Sequence, residues 1–259
     1  MTTFPSGFDQ PATGPEGFSS RSERTVHLCA ETALFMRDHV LSLVSHDLRG
    51  PLNAIHSWAY VLERKVDTAD ATAQRALGGI RSGVEQQVKL LESIVDTTRA
   101  ETKSIALIRA PFALQPMIDA TAGEVRGALA GARAVTLVVA SPLADETLDG
   151  DKERLAQALW LMLTYAVESS AREATVTLAC TADASTWHAS ASFVSTADAL
   201  GDPAVAHLLE AFARRQAQEP REAGRIAWVL ALCKRIAEAH GGQFEQKEDT
   251  LTLRIPRVS

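Results

Sequence analysis

The sequence lacks the features that mark secreted, membrane-spanning and nucleic-acid-binding proteins. It has three cysteines, Cys29, Cys180 and Cys233, and their odd number and wide spacing fit neither a disulfide framework nor a zinc site. No apolar run reaches the roughly eighteen residues of a membrane span, and no basic segment leads into an apolar one as in a signal peptide. The net charge of -6, without a Lys/Arg cluster, argues against nucleic-acid binding. We therefore expect a cytoplasmic protein with reduced thiols and no metal site of its own.

Apolar residues are frequent enough for a sizeable core, since they make up 46% of the chain against 22% charged residues. Residues 1–24 differ from the rest because they are rich in Gly, Pro, Ser and Thr and show no apolar periodicity. Such a composition does not offset the entropy lost on ordering. We predict a flexible tail over these residues.

Residues 25–66 have apolar side chains at helical spacing, and a second helical pattern follows a short polar break and continues to about residue 99. The clearest row of the first pattern has an apolar residue at every seventh position: Leu41, Leu48, Ile55 and Leu62. Two long helices with a tight connection form an antiparallel hairpin, and a wide apolar stripe on such a hairpin requires a partner. We predict that residues 25–104 form an all-α hairpin that pairs with a second copy in a homodimeric four-helix bundle.

The remaining residues, 105–259, alternate between short runs rich in Val, Thr and Ala and longer helical patterns. The strand-like runs are 135–140, 174–180, 187–194 and 251–255, and the helical patterns are 114–129, 152–169, 203–216 and 221–240. This mixture predicts an α+β two-layer sandwich, with helices on one face of a sheet.

The segment SHDLRGPLN, residues 45–53, combines a histidine with a broken local rule. Pro51 lies inside the predicted first helix, where it removes the hydrogen bond to the carbonyl of Asp47 and bends the helix. Violations of this kind tend to occur at functional sites. His46 therefore becomes the first candidate for a reactive residue.

His46 follows the Ser45 row of the helix by one residue, which places it at the edge of the seam and within reach of solvent. A neutral imidazole is a competent nucleophile near neutral pH. Asp47 would accept a proton from the ring or fix its tautomer, and Arg49 would attract an incoming phosphoryl group. The plainer interpretation is a solvated histidine beside an acid on an amphipathic helix.

The string SHDLRGPLN followed by AIHSWAYVLE resembles the phosphoacceptor box of histidine kinases, in which S-H-[DE]-L-R-x-P-L-N opens a helix of this kind. The resemblance implies that His46 is the phosphoacceptor. Gly50 departs from the pattern, because the family commonly has Thr or Asn four residues after the histidine, a position linked to dephosphorylation of the partner. Phosphatase activity is therefore left open.

The resemblance extends over residues 25–257 and implies a kinase-type ATPase domain in the second half. Residues 150–160, GDKERLAQALW, resemble the start of the family's N box, and residues 232–242, LCKRIAEAHGG, resemble the helix after its ATP lid. Both segments are also amphipathic helices that any such domain needs for packing, and we assign packing as their main role.

The positions that contact nucleotide in the family are replaced. Its two asparagines fall on Leu161 and Tyr165 and its lysine on Glu168, and an aromatic ring offers no oxygen ligand for magnesium. The adenine-binding Asp-x-Gly-x-Gly motif is absent from the sequence, and the best alignment puts Thr196, Asp198 and Leu200 at its aspartate and two glycines.

The glycine-rich lid of the family, G-x-G-x-G-L-A, reads RIAWVLA over residues 225–231. Glycines serve there because backbone N–H groups must approach phosphates closely, and Ala227 and Val229 oppose that approach. The resemblance therefore implies a degenerate ATPase domain, and we predict that this chain uses no ATP and binds no cofactor.

Three functions are compatible with these features. The first is a histidine phosphotransferase that relays a phosphoryl group through His46 between the aspartates of receiver domains, with magnesium supplied by the receiver. The second is an ATP-dependent histidine kinase with divergent motifs, and the third is a non-catalytic regulator that binds a kinase or a receiver. For receiver docking we predict a surface below the histidine made of Asn53, His56, Ser57 and Tyr60.

Overall fold

The computed structural model describes residues 22–65, 70–102, 105–143, 145–196, 198–219 and 225–257, with backbone only for residues 93–102. Six α-helices lie in these ranges: α1 Glu23–Glu63, α2 Ala71–Thr102, α3 Leu114–Val125, α4 Lys152–Ser169, α5 Ala211–Gln218 and α6 Ala231–Ala239. The strands in the same ranges are β1 Ala110–Ala113, β2 Thr136–Ala140, β3 Thr147–Gly150, β4 Thr175–Ala182, β5 Thr186–Ser192, β6 Gln243–Lys247 and β7 Thr250–Pro256. A π-helical turn, Arg126–Ala130, extends α3, and a 3-10 turn, Trp228–Leu230, precedes α6.

Helices α1 and α2 form the predicted hairpin. The α1 helix begins at Glu23 because the Ser22 side chain accepts a hydrogen bond from the Thr25 backbone N–H at 3.0 Å, a typical N-cap. The start therefore falls two residues inside the segment that the sequence assigned to a flexible tail, and residues 1–21 of that segment lie outside the described residues. Ser45 and Ala59 of α1 and Leu77 of α2 are among the buried residues of the hairpin.

The second half forms the predicted α+β sandwich. Its five-stranded sheet has the order β2-β4-β5-β7-β6, in which β2 and β4 are parallel and the other neighbours antiparallel, and β1 and β3 form a separate antiparallel ribbon. Alternating burial along β4, β5 and β7 leaves one sheet face open and packs the other against helices. Helix α4 is central to this layer, since every residue from Leu155 to Ser169 is buried.

The N-terminal part of α1, residues 23–38, packs against the α+β domain, and the sequence did not predict this contact. Leu28 and Met36 belong to the same hydrophobic core as Trp160 of α4. Glu31 accepts a hydrogen bond from Gln157 at 2.8 Å and lies 3.4 Å from Arg154. The helix that carries His46 therefore also supports the second domain.

One helical prediction in the second half was wrong in its extent. Residues 203–216 were predicted helical, whereas α5 covers only Ala211–Gln218. The buried Glu168 carboxylate accepts the backbone N–H groups of Leu208 and Leu209 at 2.6 and 2.9 Å, so a side chain takes the donors that a helix would use.

A second helical prediction, over residues 221–240, was also too long, because α6 covers only Ala231–Ala239. The backbone N–H groups of Ala227 and Trp228 donate to glutamine side chains and not along a helix. Residues 221–224 of this prediction lie outside the described residues.

Candidate functional site

His46 lies on α1 with its imidazole open to solvent. The side chains of His46 and Asp47 are 78% and 81% exposed, and Nδ1 of the imidazole lies 3.2 Å from Oδ1 of the carboxylate. When Nδ1–H donates to Asp47, the lone pair of the ring resides on Nε2. The arrangement presents a nucleophilic nitrogen to solvent and an anion to hold the ring proton.

Pro51 is accommodated within α1, which continues through it to Glu63. Gly50, the residue before it, is exposed, and an added Cβ there would meet nothing within 4 Å. Packing within the chain therefore does not require a glycine at this position. Arg49 is half-buried on the same turn.

The four residues predicted to dock a receiver lie about two to four turns beyond His46. Asn53, Ser57 and Tyr60 are exposed, and the Ser57 hydroxyl donates to the Asn53 carbonyl at 2.8 Å. The Tyr60 ring lies beneath the Arg64 guanidinium at 4.5 Å. His56 is half-buried, with Nε2 3.7 Å from Oε1 of Glu85 on α2. This contact places His56 beside α2.

A continuous apolar row on α1 faces away from the rest of the chain. Its exposed members occur alternately three and four residues apart: Leu41, Val44, Leu48, Ile55, Trp58 and Leu62, with Pro51 between Leu48 and Ile55. This is the a/d spacing of a coiled-coil seam. His46 is not a member of the row, so its exposure does not depend on whether the row is covered.

The positions aligned with the family's N-box asparagines are filled with packed side chains. Leu161 is fully buried and Tyr165 is 4% exposed. The Tyr165 ring meets Phe193 edge-on at 6.3 Å, and its hydroxyl accepts a hydrogen bond from Gln246 at 3.2 Å. The position aligned with the family's magnesium ligand thus holds an aromatic ring that packs on Phe193.

The lid positions are equally filled. Ala227 and Val229 are both 0% exposed. The Ala227 N–H donates to Oε1 of Gln246 at 2.7 Å, and the Trp228 N–H donates to Oε1 of Gln216 at 2.9 Å. Backbone donors of the kind that cradle phosphates are therefore bonded to glutamine side chains of the same domain. The sequence analysis missed both glutamines, because only the folded chain brings them to these donors.

Glu168, where the family has lysine, is fully buried, and its carboxylate accepts hydrogen bonds from the segment before α5. Arg133 spans the same region by donating to the carbonyls of Glu168, Ala199 and Ala206. Thr196 lies beside this network and lines a cavity of about 530 Å³ together with Arg133. Leu161, Tyr165, Ala227 and Val229 do not line that cavity.

Burial shapes the titration of two residues near these elements. Burial lowers the pKa of His39 on α1 to about 4, and the charge of Arg235 on α6 adds to the effect. Burial also raises the pKa of Cys180 to about 12, which keeps this thiol protonated. In the parts of the chain that the structure describes, no group of three or more His, Cys, Asp or Glu side chains is arranged to hold a metal ion.

Comparisons with known proteins agree with this organisation. Residues 36–103 match the His Kinase A (phospho-acceptor) domain family. A crystal structure of a histidine kinase from Burkholderia phymatum STM815 is 56% identical, covers 92% of this chain and 100% of that chain, and superposes with a TM-score of 0.76.

A phosphoacceptor hairpin followed by a kinase-type α+β domain defines a class, the histidine kinase-like proteins of two-component signalling. The chain belongs to the histidine kinase family. It is 25% identical over 238 residues to the sensor protein GacS of Pseudomonas syringae pv. syringae, which is 86% of this chain and 25% of that protein. It is also 25% identical over 220 residues to the histidine-protein kinase BaeS of Escherichia coli, which is 81% of this chain and 43% of that protein.

The chain thus spans 25% of the length of the GacS protein and 43% of the length of BaeS. Within the described ranges, no helix combines the length and apolarity that crossing a bilayer requires.

Proposed function

We propose that the chain is a histidine phosphotransferase that relays a phosphoryl group between receiver-domain aspartates through His46 and does not use ATP. The observation that carries the proposal is the contrast between an open imidazole on α1 and a filled nucleotide site in the α+β domain. We further propose that residues 25–104 act as the dimerisation and phosphotransfer unit and residues 105–259 as a degenerate ATPase-like domain.

The proposed phosphoryl transfer requires only a few side chains of this chain. The Nε2 lone pair of His46 attacks the phosphorus of an aspartyl phosphate, an N–P bond forms, and the P–O bond to the receiver breaks so that its carboxylate leaves as an anion. The Asp47 carboxylate holds the Nδ1 proton during the attack, and Arg49 offsets negative charge on the transferred group. The reverse sequence delivers the phosphoryl group to a second receiver, and each receiver brings its own magnesium.

Three separate features of the second domain support the absence of ATP use. Tyr165 and Phe193 pack where a magnesium ligand is needed. The N–H groups of Ala227 and Trp228 are bonded to glutamine side chains, so a phosphate would have to displace both contacts. The buried Glu168 carboxylate replaces a lysine and would repel a triphosphate.

A homodimer follows from the apolar seam of α1. Its side chains are between 37% and 68% exposed in the single chain, from Leu41 to Trp58, which is unusual for a contiguous apolar row. Pairing with the same row of a second copy buries the seam and leaves His46 on the outer surface.

The ATP-dependent kinase is the second candidate, and one observation favours it. The cavity of about 530 Å³ beside Thr196 and Asp198 lies at the positions aligned with the family's adenine motif, and it is large enough for a base. It lacks contact with the lid and N-box positions, which is why we place this candidate second.

One experiment separates the candidates. The purified chain is incubated either with [γ-³²P]ATP and magnesium or with receiver domains carrying ³²P on their aspartates, and acid-labile label on the chain is measured. The proposal expects label from a receiver, its loss in His46→Ala, and its retention in His188→Asn, a control on the open sheet face. Label from ATP alone would instead establish the kinase, and no label from any donor would favour the non-catalytic regulator.

A further inference from the structure

Every seventh residue of α1 from Thr25 onward lies on nearly the same face of the helix, because seven residues make two turns less about 20°. This row contains Thr25, Thr32, His39, His46, Asn53 and Tyr60. Thr25 and Thr32 are buried at 0% and 5% exposure, and His39 is half-buried. The next three, from His46 on, are exposed. The row therefore passes from a covered stretch into solvent between His39 and His46.

The α+β domain contacts the first two residues of this row directly and lies near the third. The Thr25 hydroxyl donates to the Glu124 carboxylate, and Thr32 lines a void of about 10 Å³ with Trp160 and Leu209. His39 lies in the electrostatic range of Arg235, whose guanidinium also lies 5.7 Å from the Phe35 ring centre.

The contact between α1 and the domain is extensive enough to fix their relative position. Leu28 and Met36 are 6% and 3% exposed within the common core. Glu31 adds the hydrogen bond from Gln157 and the ion pair with Arg154. Helix α1 continues without interruption from Met36 to His46. The α+β domain is therefore held at a fixed position along α1, on the helix face that bears His46.

The distance along α1 between the α+β domain and His46 is small compared with the size of a folded protein domain. Seven helical residues rise about 10 Å, so Arg235 beside His39 lies on the order of 10 Å along the helix from His46. A receiver of roughly 100 residues has a radius of gyration of about 13 Å. A receiver whose aspartate reaches His46 on this face therefore also reaches the edge of the α+β domain.

We propose that the α6 edge of the α+β domain forms the upper wall of the receiver-docking site and that Arg235 in this wall contacts the phosphorylated receiver near its anionic aspartyl phosphate. The inference rests on the proposed phosphotransfer function and names a second surface for the same partner. Charge complementarity supports a phosphorylated receiver as the occupant, since Arg235 and the neighbouring Lys234, which is 54% exposed and lies 3.9 Å from Glu238, offer cations to a partner that carries a phosphoryl group.

The test compares three variants of the full chain. A panel of purified receiver domains is loaded with acetyl phosphate, the fastest donor is chosen, and KM and maximal rate of transfer to His46 are measured. Arg235→Glu is expected to raise KM by about tenfold with little change in maximal rate. Arg235→Lys keeps the charge and is expected to retain most of the affinity, and Lys247→Glu makes the same charge change on the open sheet face and is expected to leave KM unchanged.

Because Arg235 also packs on Phe35, thermal unfolding of each variant is measured alongside. A second readout is hydrogen exchange of residues 231–239 in the unmodified chain, which should slow when the receiver is added. If Arg235→Glu and Lys247→Glu give equal KM values, or the hydrogen exchange of α6 does not change, the α6 edge is not part of the docking site. Phosphotransfer through His46 would not be contradicted by that result. If no receiver phosphorylates the unmodified chain, both the proposed function and the proposed role of the α6 edge are contradicted.

Discussion

Glu168 and His207 form a buried pair in which Oε2 of the carboxylate lies 2.8 Å from Nδ1 of the imidazole. The other ring nitrogen lies 2.8 Å from the Asp202 carbonyl, so both nitrogens face acceptors. The same carboxylate accepts the N–H groups of Leu208 and Leu209. A residue that replaces the family's lysine thus holds the segment before α5 in place.

Substitution of Glu168 should therefore reduce stability. In Glu168→Gln the amide keeps one acceptor oxygen and loses both the negative charge and the second acceptor oxygen that faces His207, so we expect a loss of about 1–3 kcal/mol in the free energy of unfolding. Urea unfolding followed by circular dichroism measures it. Glu248→Gln, at an exposed glutamate, is the matched control and should unfold like the unmodified chain. Equal midpoints for the two variants would contradict the role of the carboxylate.

ATP with magnesium should not stabilise the chain against heat. A ligand present at a hundred times its dissociation constant adds about 2.7 kcal/mol to folding stability, which raises Tm by several degrees. We expect no rise at millimolar Mg-ATP, because the N–H groups of Ala227 and Trp228 are already bonded. Differential scanning fluorimetry gives the answer, with a competent histidine kinase domain as positive control. A reproducible shift would favour the kinase.

Charge in the apolar seam should separate the dimer. Leu48→Glu with Ile55→Glu places two carboxylates per chain in the paired surface, where their desolvation opposes association. Light scattering after size exclusion should report a monomer. Ser57→Glu adds charge at an exposed site outside the seam and should remain dimeric. A double variant that stays dimeric would place the interface elsewhere.

Asp47 should affect the rate of transfer more than its extent. In Asp47→Asn the neutral amide no longer stabilises a ring that gains positive charge as Nε2 is phosphorylated, and we expect transfer about tenfold slower. Rapid-quench measurement of phosphohistidine formation tests this, with Asp183→Asn, in an exposed turn, as the control. An unchanged rate would show that the 3.2 Å contact is incidental.

Stability should fall in mild acid. The pKa of His39 is lowered from 6.5 to about 4, so the unfolded chain takes up the proton first as the pH falls below about 6.5. The contribution of neutral His39 is complete above that pH and is lost progressively towards pH 4. In His39→Gln the decline in Tm between pH 7.5 and pH 5 should be smaller. Burial of His240, whose pKa is also lowered, acts with the same sign and leaves part of the decline.

The sequence was most informative where a pattern is local. The seam through Leu48 and Ile55 and the bounds of α4 follow from helical periodicity, and the SHDLRGPLN string marks His46 without any long-range information. Strands β1 and β3 were not predicted, since each has four residues and pairs only with the other in a short ribbon.

The features that escaped prediction depend on contacts between distant parts of the chain. Gln246 reaches Ala227 and Tyr165 only after β6 has joined the sheet. The over-long helix at 203–216 failed because Glu168, 40 residues before Leu208, takes that residue's N–H. The packing of α1 on Trp160 likewise has no signal in the spacing of either helix alone.

The unbroken course of α1 has a mechanical consequence. Helix α1 packs on the α+β domain through Met36 and bears His46 ten residues further along the same unbroken helix. Rotation of the α+β domain therefore rotates the His46 imidazole through a similar angle. A protein that binds only this domain would change the orientation of the reactive nitrogen.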